Sequence, residues 1–262
     1  MSQTGMLIVG HGTRDAAGQA EFLAAAQTVA AVCPAWKIEP CFLELAEPTI
    51  AAGIARLVER GITQEITVAP LLLFAAGHAK SDIPQAVSRE AAKYPGLRLR
   101  QASHLGIHPA IVELSKRRYQ EALGGLPPFP ENETLLVFVG RGSRDASANA
   151  ELAQFARLRW EAHPSGWLQT CYAAMAEPSL ERSLELVAQW PFRRVVVQPH
   201  LLFRGELLSR IERTVESFGR EHPGIQWAVT PHLGADRSVA EALADRARGA
   251  ADLQPELGAS PH

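Results

Sequence analysis

Short apolar runs alternate along this chain with longer segments whose apolar residues recur at helical spacing. Met6–Gly10 is an apolar run closed by glycine, the pattern of a buried strand followed by a tight turn. Ala20–Val32 carries apolar residues at helical intervals, Trp36–Leu43 reads as a strand, and Pro48 sits at the first turn of a helix running to about Arg60. Glu65–Leu73 and Leu97–Gln101 read as further strands, followed by helices at Ser81–Lys93 and Pro109–Leu123. The pattern restarts at Leu135–Gly140 and continues with strands at Leu168–Tyr172, Arg194–Gln198 and Ile225–Thr230. Strand–helix units in succession predict a parallel sheet covered by helices on both faces.

The second pass resembles the first in sequence as well as in pattern. VGHGTRD at 9–15 returns as VGRGSRD at 139–145, AEPT at 46–49 as AEPS at 176–179, and Cys41 as Cys171, all at a shift of 130. PLLLF at 70–74 matches PHLLF at 199–203, and HLG at 104–106 matches HLG at 232–234. Matched blocks in one order, with shifts that drift by only two residues, mark a tandem duplication. The break falls in EALGGLPPFPENE, residues 121–133, where glycines and prolines interrupt any regular element. The expected domains are 1–123 and 134–262, joined by a linker at 124–133.

Composition narrows the function classes. With 26 Lys+Arg against 28 Asp+Glu among 262 residues, the net charge of -2 gives no basic surplus for a nucleic-acid partner. Three scattered cysteines, Cys33, Cys41 and Cys171, neither build a disulfide framework nor form the Cys-x-x-Cys pairs of thiolate metal sites. No signal-like N-terminus and no apolar run of membrane-spanning length is visible. The expectation is a soluble cytoplasmic protein, with no membrane and no nucleic-acid partner.

In parallel sheets of this kind ligands bind beyond the carboxyl ends of the strands. The first strand there delivers His11 between Gly10 and Gly12, the second delivers Glu44, and the third is followed by His78 after Gly77, with Lys80 and Asp82 close by. Singly, each has a plain structural reading. An imidazole can cap a helix or bond a loop carbonyl, Glu47 can cap the helix that Pro48 opens, and Ser81 or Asp82 can be an N-cap. Together, two imidazoles and a carboxylate at one sheet edge suit a divalent Fe, Co, Ni or Zn ion, and equally suit proton transfer near neutral pH.

The duplication supplies an internal control. Arg141 stands where His11 does, Ala174 where Glu44 does, and Glu206 where His78 does. Meanwhile Val139, Gly140, Gly142, Arg144, Asp145, Glu177 and Pro178 persist. Groups needed for the scaffold belong in both halves, so the chemistry is assigned to the first. The second half becomes the opposite wall of a cleft and contributes Arg141, Arg144, Arg204 or Arg210 to an anionic ligand. His104 and His232 are kept in both copies and are read as scaffold, for example as buried imidazoles bonded to backbone. His108, His163, His200, His222 and His262 are read as surface or loop residues.

GHGTRD, FLELAEPT and PLLLFAAGHAKSDIP, taken together, resemble the class II tetrapyrrole chelatases and specifically the sirohydrochlorin chelatase family, in its long two-repeat form. The resemblance implies two tandem Rossmann-like α/β domains of the chelatase type, each a four-stranded parallel sheet flanked by helices, facing across a cleft. It implies cobalt or iron insertion into sirohydrochlorin, as in cobalamin or siroheme synthesis, with Co2+, Fe2+ or Ni2+ as substrate and no organic cofactor. His11 and His78 fall on the family's metal-handling histidines and Glu44 on its acidic partner. The polycarboxylate substrate implies local positive charge, for which Arg14, Lys80, Arg141, Arg144 and Arg204 lie at expected strand ends. One chain already contains both halves, so a monomer suffices. Two alternatives stay open at this point: a non-catalytic metal or tetrapyrrole binder, and a histidine-phosphatase-like hydrolase. The second lacks the arginine before its histidine, because Gly10 precedes His11.

Overall fold

The structure, a computed structural model, describes residues 4–74 and 77–252, and the side chains of these except 77–80, 91, 251 and 252. The first sheet contains β1 (Gly5–Gly10), β2 (Lys37–Phe42), β3 (Glu65–Pro70) and β4 (Arg98–Gln101). Their connections are α1 (Ala16–Val32), α2 (Ile50–Glu59) and α3 (Gly77–Ala91), and α4 (Pro109–Leu123) follows. The second sheet contains β5 (Thr134–Gly140), β6 (Trp167–Tyr172), β7 (Arg194–Pro199) and β8 (Gln226–Val229). Its helices are α5 (Ala146–Ala162), α6 (Leu180–Val187) and α7 (Glu206–Glu221), followed by α8 (Arg237–Arg248) and a short strand β9 (Ala251–Asp252).

Strand order is β2-β1-β3-β4-β9 in one sheet and β6-β5-β7-β8 in the other. The four strands of each repeat pair in parallel, as the sequence predicts, and β9 adds an antiparallel edge beside β4 that the sequence reading lacks. The central strands explain why. GMLIVG in β1 and TLLVFVG in β5 are buried at every position, as a strand covered on both faces must be. The helices close over them with one face each. Ile50, Gly53, Ile54 and Leu57 of α2, and Leu180, Ser183, Leu184 and Val187 of α6, recur at the same helical interval and are buried.

The compact units differ from the sequence repeats. Unit 1 comprises residues 1–105 together with 240–262, and unit 2 comprises 106–239. Helix α4, the last of the first repeat, therefore belongs to unit 2, whereas α8 from Ala240 belongs to unit 1. Side-chain contacts explain both placements. Arg118 of α4 donates to the carbonyls of His232 and Leu233 at 3.1 and 2.8 Å, and Gln198 of β7 donates to the Ser115 carbonyl at 2.6 Å. In unit 1, Arg246 of α8 donates to the Leu105 carbonyl at 2.8 Å, and Arg100 of β4 to the Ala250 carbonyl.

Cys33, Cys41 and Cys171 are buried and unbridged, and burial pushes the Cys41 and Cys171 thiols up, the latter to about 12. They act as small core residues and not as thiolate ligands. Among the described residues no helix is long and apolar enough to cross a membrane.

Candidate active site

In the order β2-β1-β3-β4, the chain leaves β1 toward β2 on one side and leaves β3 toward β4 on the other. That divergence opens a crevice at the carboxyl ends of β1 and β3. His11 is the first residue after β1, and His78 lies in the first turn of α3, the helix that follows β3. The side chains of His78 and Lys80 lie outside the described residues. Helix α3 begins at Gly77, four residues before the expected start at Ser81, so neither Ser81 nor Asp82 caps it. The Ser81 hydroxyl instead bonds the Asp82 carboxylate at 3.0 Å.

The loops after β1 and β2 are held together by backbone. Leu43 N–H donates to Gly10 O at 2.9 Å and Glu44 N–H to His11 O at 3.1 Å. Gly12 makes this approach possible. It has φ 98°, and a Cβ there would lie 1.7 Å from Glu44 O. Zipped in this way, the His11 and Glu44 side chains meet, with Nδ1 to Oε1 at 3.6 Å. The distance is long for a hydrogen bond, so the two side chains are neighbours without a direct bond. Both side chains remain open to solvent, His11 at 38% and Glu44 at 55%.

Glu44 is available because Glu47 is occupied, though not as expected. Thr49, and not Glu47, caps α2, its hydroxyl accepting from Ala52 N–H. Glu47 accepts from Thr49 N–H at 3.0 Å. Pro48 stays outside the helix, because its carbonyl accepts from Phe42 N–H at 2.8 Å and so continues the strand edge.

The second unit repeats this backbone without the reactive groups. Ala173 donates to Gly140 O and Ala174 to Arg141 O, both at 2.8 Å, and a Cβ on Gly142 would lie 1.8 Å from Ala174 O. Arg141 and Ala174 therefore occupy the backbone positions of His11 and Glu44, as the sequence match requires. Glu206 opens α7 as His78 lies in the first turn of α3, and it pairs with Arg213 at 2.7 Å.

The candidate cations fall into two groups. Arg14 and Arg144 stand between anchored neighbours. Asp15 and Asp145 cap α1 and α5, Thr13 and Ser143 accept from those aspartates' amides, and Gln19 and Asn149 donate to Thr13 O and Ser143 O. The loops are fixed, while Arg14, Arg141 and Arg144 are exposed and make no ion pair among the described residues. Arg204 is exposed just before α7. Arg210 is engaged by Glu181 at 3.0 Å.

Several histidine expectations change. His200 is buried, 2% exposed, against Phe155 and Phe138, with ring centroids 4.2 and 5.3 Å away. It is a loop residue, the first after β7, but not a surface one: it takes the buried position that Leu71 holds after β3. His104 and His232 are only half-buried, since both stand in strand-end loops and not in the core. His108 accepts from Ala110 N–H as the N-cap of α4. His262 lies outside the described residues.

Sequence reasoning missed Leu45 and Met175. Both adopt positive φ, 63° and 56°, and both are about half exposed. A large apolar residue is costly in that backbone region, where glycine or asparagine is favoured. Their sequence signal was a lone large apolar residue at the same position of each loop, in LELAEP and AAMAEP.

A family model described as CbiX matches residues 5–122 and again residues 135–250. The chain belongs to the CbiX family. A sirohydrochlorin cobaltochelatase of Priestia megaterium is 31% identical over 246 residues, spanning 92% of this chain and 78% of that relative. A sirohydrochlorin ferrochelatase of Bacillus subtilis is 31% identical over 243 residues, spanning 93% and 90%. The solved structure of SirB from Bacillus subtilis with Fe3+ superposes with a TM-score of 0.83 at 30% identity, over 94% of each chain. CbiX membership bears out the resemblance carried by the three motifs and sets aside the phosphatase-like alternative. The first CbiX repeat carries the His11–Glu44 pair, and the second carries Arg141 and Ala174 in its place. Among the described residues, which exclude the His78 side chain, no group of three or more His, Cys, Asp or Glu side chains is arranged to hold a metal.

Proposed function

We propose that this protein inserts Co2+ or Fe2+ into sirohydrochlorin, releasing the two pyrrole N–H protons. The observation that carries the reading is the His11–Glu44 pair at the carboxyl ends of β1 and β2, absent from the same backbone positions of the second repeat. The names of the relatives supply the substrate.

Insertion needs a metal held weakly, two protons accepted, and a macrocycle held in place. With Nδ1 facing Glu44, His11 offers Nε2 to a metal, and the carboxylate orients the ring. His78, in the first turn of α3, is the second imidazole of the proposed site. A set this small passes an ion on, where four protein ligands would trap it. Arg14, Lys80, Arg141, Arg144 and Arg204 pair with the substrate carboxylates, guanidinium being suited to bidentate contact. Leu45, exposed beside Glu44, offers apolar contact to the macrocycle. No organic cofactor enters this scheme, and a monomer carries it out.

The test is spectroscopic. Mixing the protein with sirohydrochlorin and Co2+ or Fe2+ shifts the macrocycle absorption faster than the metal and macrocycle alone. His11→Ala and His78→Ala each reduce the catalysed rate at least about 100-fold, within the range of a lost acid–base group, while Glu44→Gln costs about 10–100-fold as an orienting partner. Full activity in His11→Ala sinks the site assignment. Tight binding of metal and macrocycle with no acceleration makes the protein a non-catalytic binder instead.

A further inference from the structure

Unit 2 contains a cavity of about 260 Å3 at the amino ends of β5 and β7, the sheet edge opposite its strand-end loops. Tyr119, His163 and Arg194 line its polar side, and Leu126 and Phe129 of the inter-repeat linker line its apolar side. Arg194 is 3% exposed. Its Nε donates to Gln226 Oε1 at 2.6 Å, its Nη2 to Pro127 O, and its guanidinium stacks 4.6 Å over Phe129. Behind the same wall lies Arg159, fully buried, 4.3 Å over the Tyr119 ring and donating from Nη1 to His163 O at 3.1 Å. Its Nε and Nη2 are buried without a hydrogen-bond partner.

Among the described residues, every partner of these two guanidiniums is a carbonyl, an amide or a ring. The one carboxylate lining the cavity, Glu131, is exposed. An arginine does not escape burial by neutralising. Burial brings Arg159 down only to about 10. Two buried cations, Arg194 in the wall and Arg159 behind it, with no counter-ion among the described residues, are costly unless an anion joins them. Tyr119 adds a donor, since burial pushes its phenol up despite Arg159 and Arg194, keeping the hydroxyl protonated.

The first repeat again serves as a control. By the shift of 130 through α1 and α5, Arg159 corresponds to buried Val29. By the register in which Gly5 matches Leu135, Arg194 corresponds to Glu65, and by the HLG match Tyr119 corresponds to Ala247. The same scaffold is built with Val, Glu and Ala at these positions, so it does not demand the Arg–Arg–Tyr set.

We propose that this cavity binds a small organic carboxylate, its anion held by Arg194 and the Tyr119 hydroxyl and its apolar body against the linker. The volume lies below the roughly 300–1,000 Å3 of drug-sized sites, which limits the occupant to a small molecule. With Arg194 Nε and Nη2 bonded to Gln226 and Pro127, Nη1 and the Tyr119 hydroxyl suit the two oxygens of one carboxylate. The apolar lining favours an occupant with carbon to bury over a compact hydrated anion. The site involves none of the residues assigned to metal insertion, so its occupancy is read independently of activity.

The test is calorimetric titration of the full chain at pH 7 with benzoate, with benzamide as neutral isostere and inorganic phosphate as an anion without an apolar body. Benzoate binds saturably at one site, with benzamide and phosphate at least tenfold weaker. Tyr119→Phe weakens benzoate about tenfold, and Glu131→Gln, which removes the rim carboxylate, tightens it. Arg159 is left intact in both variants so that folding is preserved. Absence of saturable benzoate binding, benzamide binding as well as benzoate, phosphate binding better than benzoate, or Tyr119→Phe and Glu131→Gln leaving benzoate affinity unchanged, each overturns the proposal.

Discussion

Gly12 and Gly142 hold the same strained turn in the two repeats, and only one of them lies beside the proposed chemistry. Alanine at either position meets a backbone carbonyl, at 1.7 or 1.8 Å, in a left-handed conformation. Each substitution is expected to destabilise by at least about 1–2 kcal/mol in urea unfolding. Only Gly12→Ala should also reduce chelatase activity in the folded protein, by displacing Glu44 from His11. His200 gives a second residue-level prediction. Burial lowers its pKa to about 3 from 6.5, so at neutral pH it is uncharged folded and unfolded alike. As pH falls below 6.5 the unfolded chain gains a proton that the folded chain refuses, and stability drops until about pH 3. The loss is on the order of 2 kcal/mol at pH 5. His200→Leu, which copies Leu71, should remove that part of the acid destabilisation in urea midpoints measured from pH 7 to 5. His200 was illegible in sequence because PHLLF differs from PLLLF by one residue inside an apolar run, and burial is a property of the assembled sheet. His11 and Glu44 were legible because their counterparts change while their neighbours do not.

At the scale of elements, the sequence pattern located every strand of the two parallel sheets to within two residues at either end, apart from the overlong end of β3, and β1 and β5 were the plainest because a strand buried on both faces has nowhere to place a charge. Helix starts were read less well. Pro48 and Ser81 both carry start signals, yet the helices begin at Ile50 and Gly77. In the first case a backbone bond to β2 outweighs proline's preference for the first turn. Strand β9 was invisible, being two residues long and dependent on β4. Between elements, Asp236 ties α4 to the start of α8. It accepts from Ser238 N–H at 2.9 Å and pairs with Arg117 and Arg118 at 2.7 and 3.2 Å. Burial alone would raise its carboxyl, but the Ser238 amide and the Arg117 guanidinium outweigh burial and hold it below the usual value. Asp236→Ala should cost about 1–3 kcal/mol at pH 7. The folded carboxyl being the stronger acid, that gap should narrow as pH falls through 4 and below, in urea midpoints of the two proteins.

For the whole molecule, the repeats of the sequence and the compact units of the fold are different divisions. Helix α4 has Ile111, Leu114 and Tyr119 buried in unit 2, and unit 1 takes its last helix from beyond residue 239. A fragment of residues 1–123 thus lacks α8 and exposes the apolar face of α4, whereas 106–239 retains the contacts of its unit. Calorimetry should show a cooperative transition for 106–239 and none for monomeric 1–123, although 1–123 is the complete first repeat. The repeat boundary was legible from matched motifs. The exchange of helices was not, since α4 and α8 follow the same HLG motif and nothing local says which sheet each will cover.

That exchange also fixes an order of events during synthesis. Unit 2 is complete once residue 239 has left the ribosome, whereas unit 1, whose sheet was translated first, waits for the stretch that supplies α8 and the edge beside β4. At roughly 5–20 residues per second, the segment from 106 to 250 keeps it waiting on the order of ten seconds. The half that carries His11 and Glu44 is the first to be made and the last to be finished.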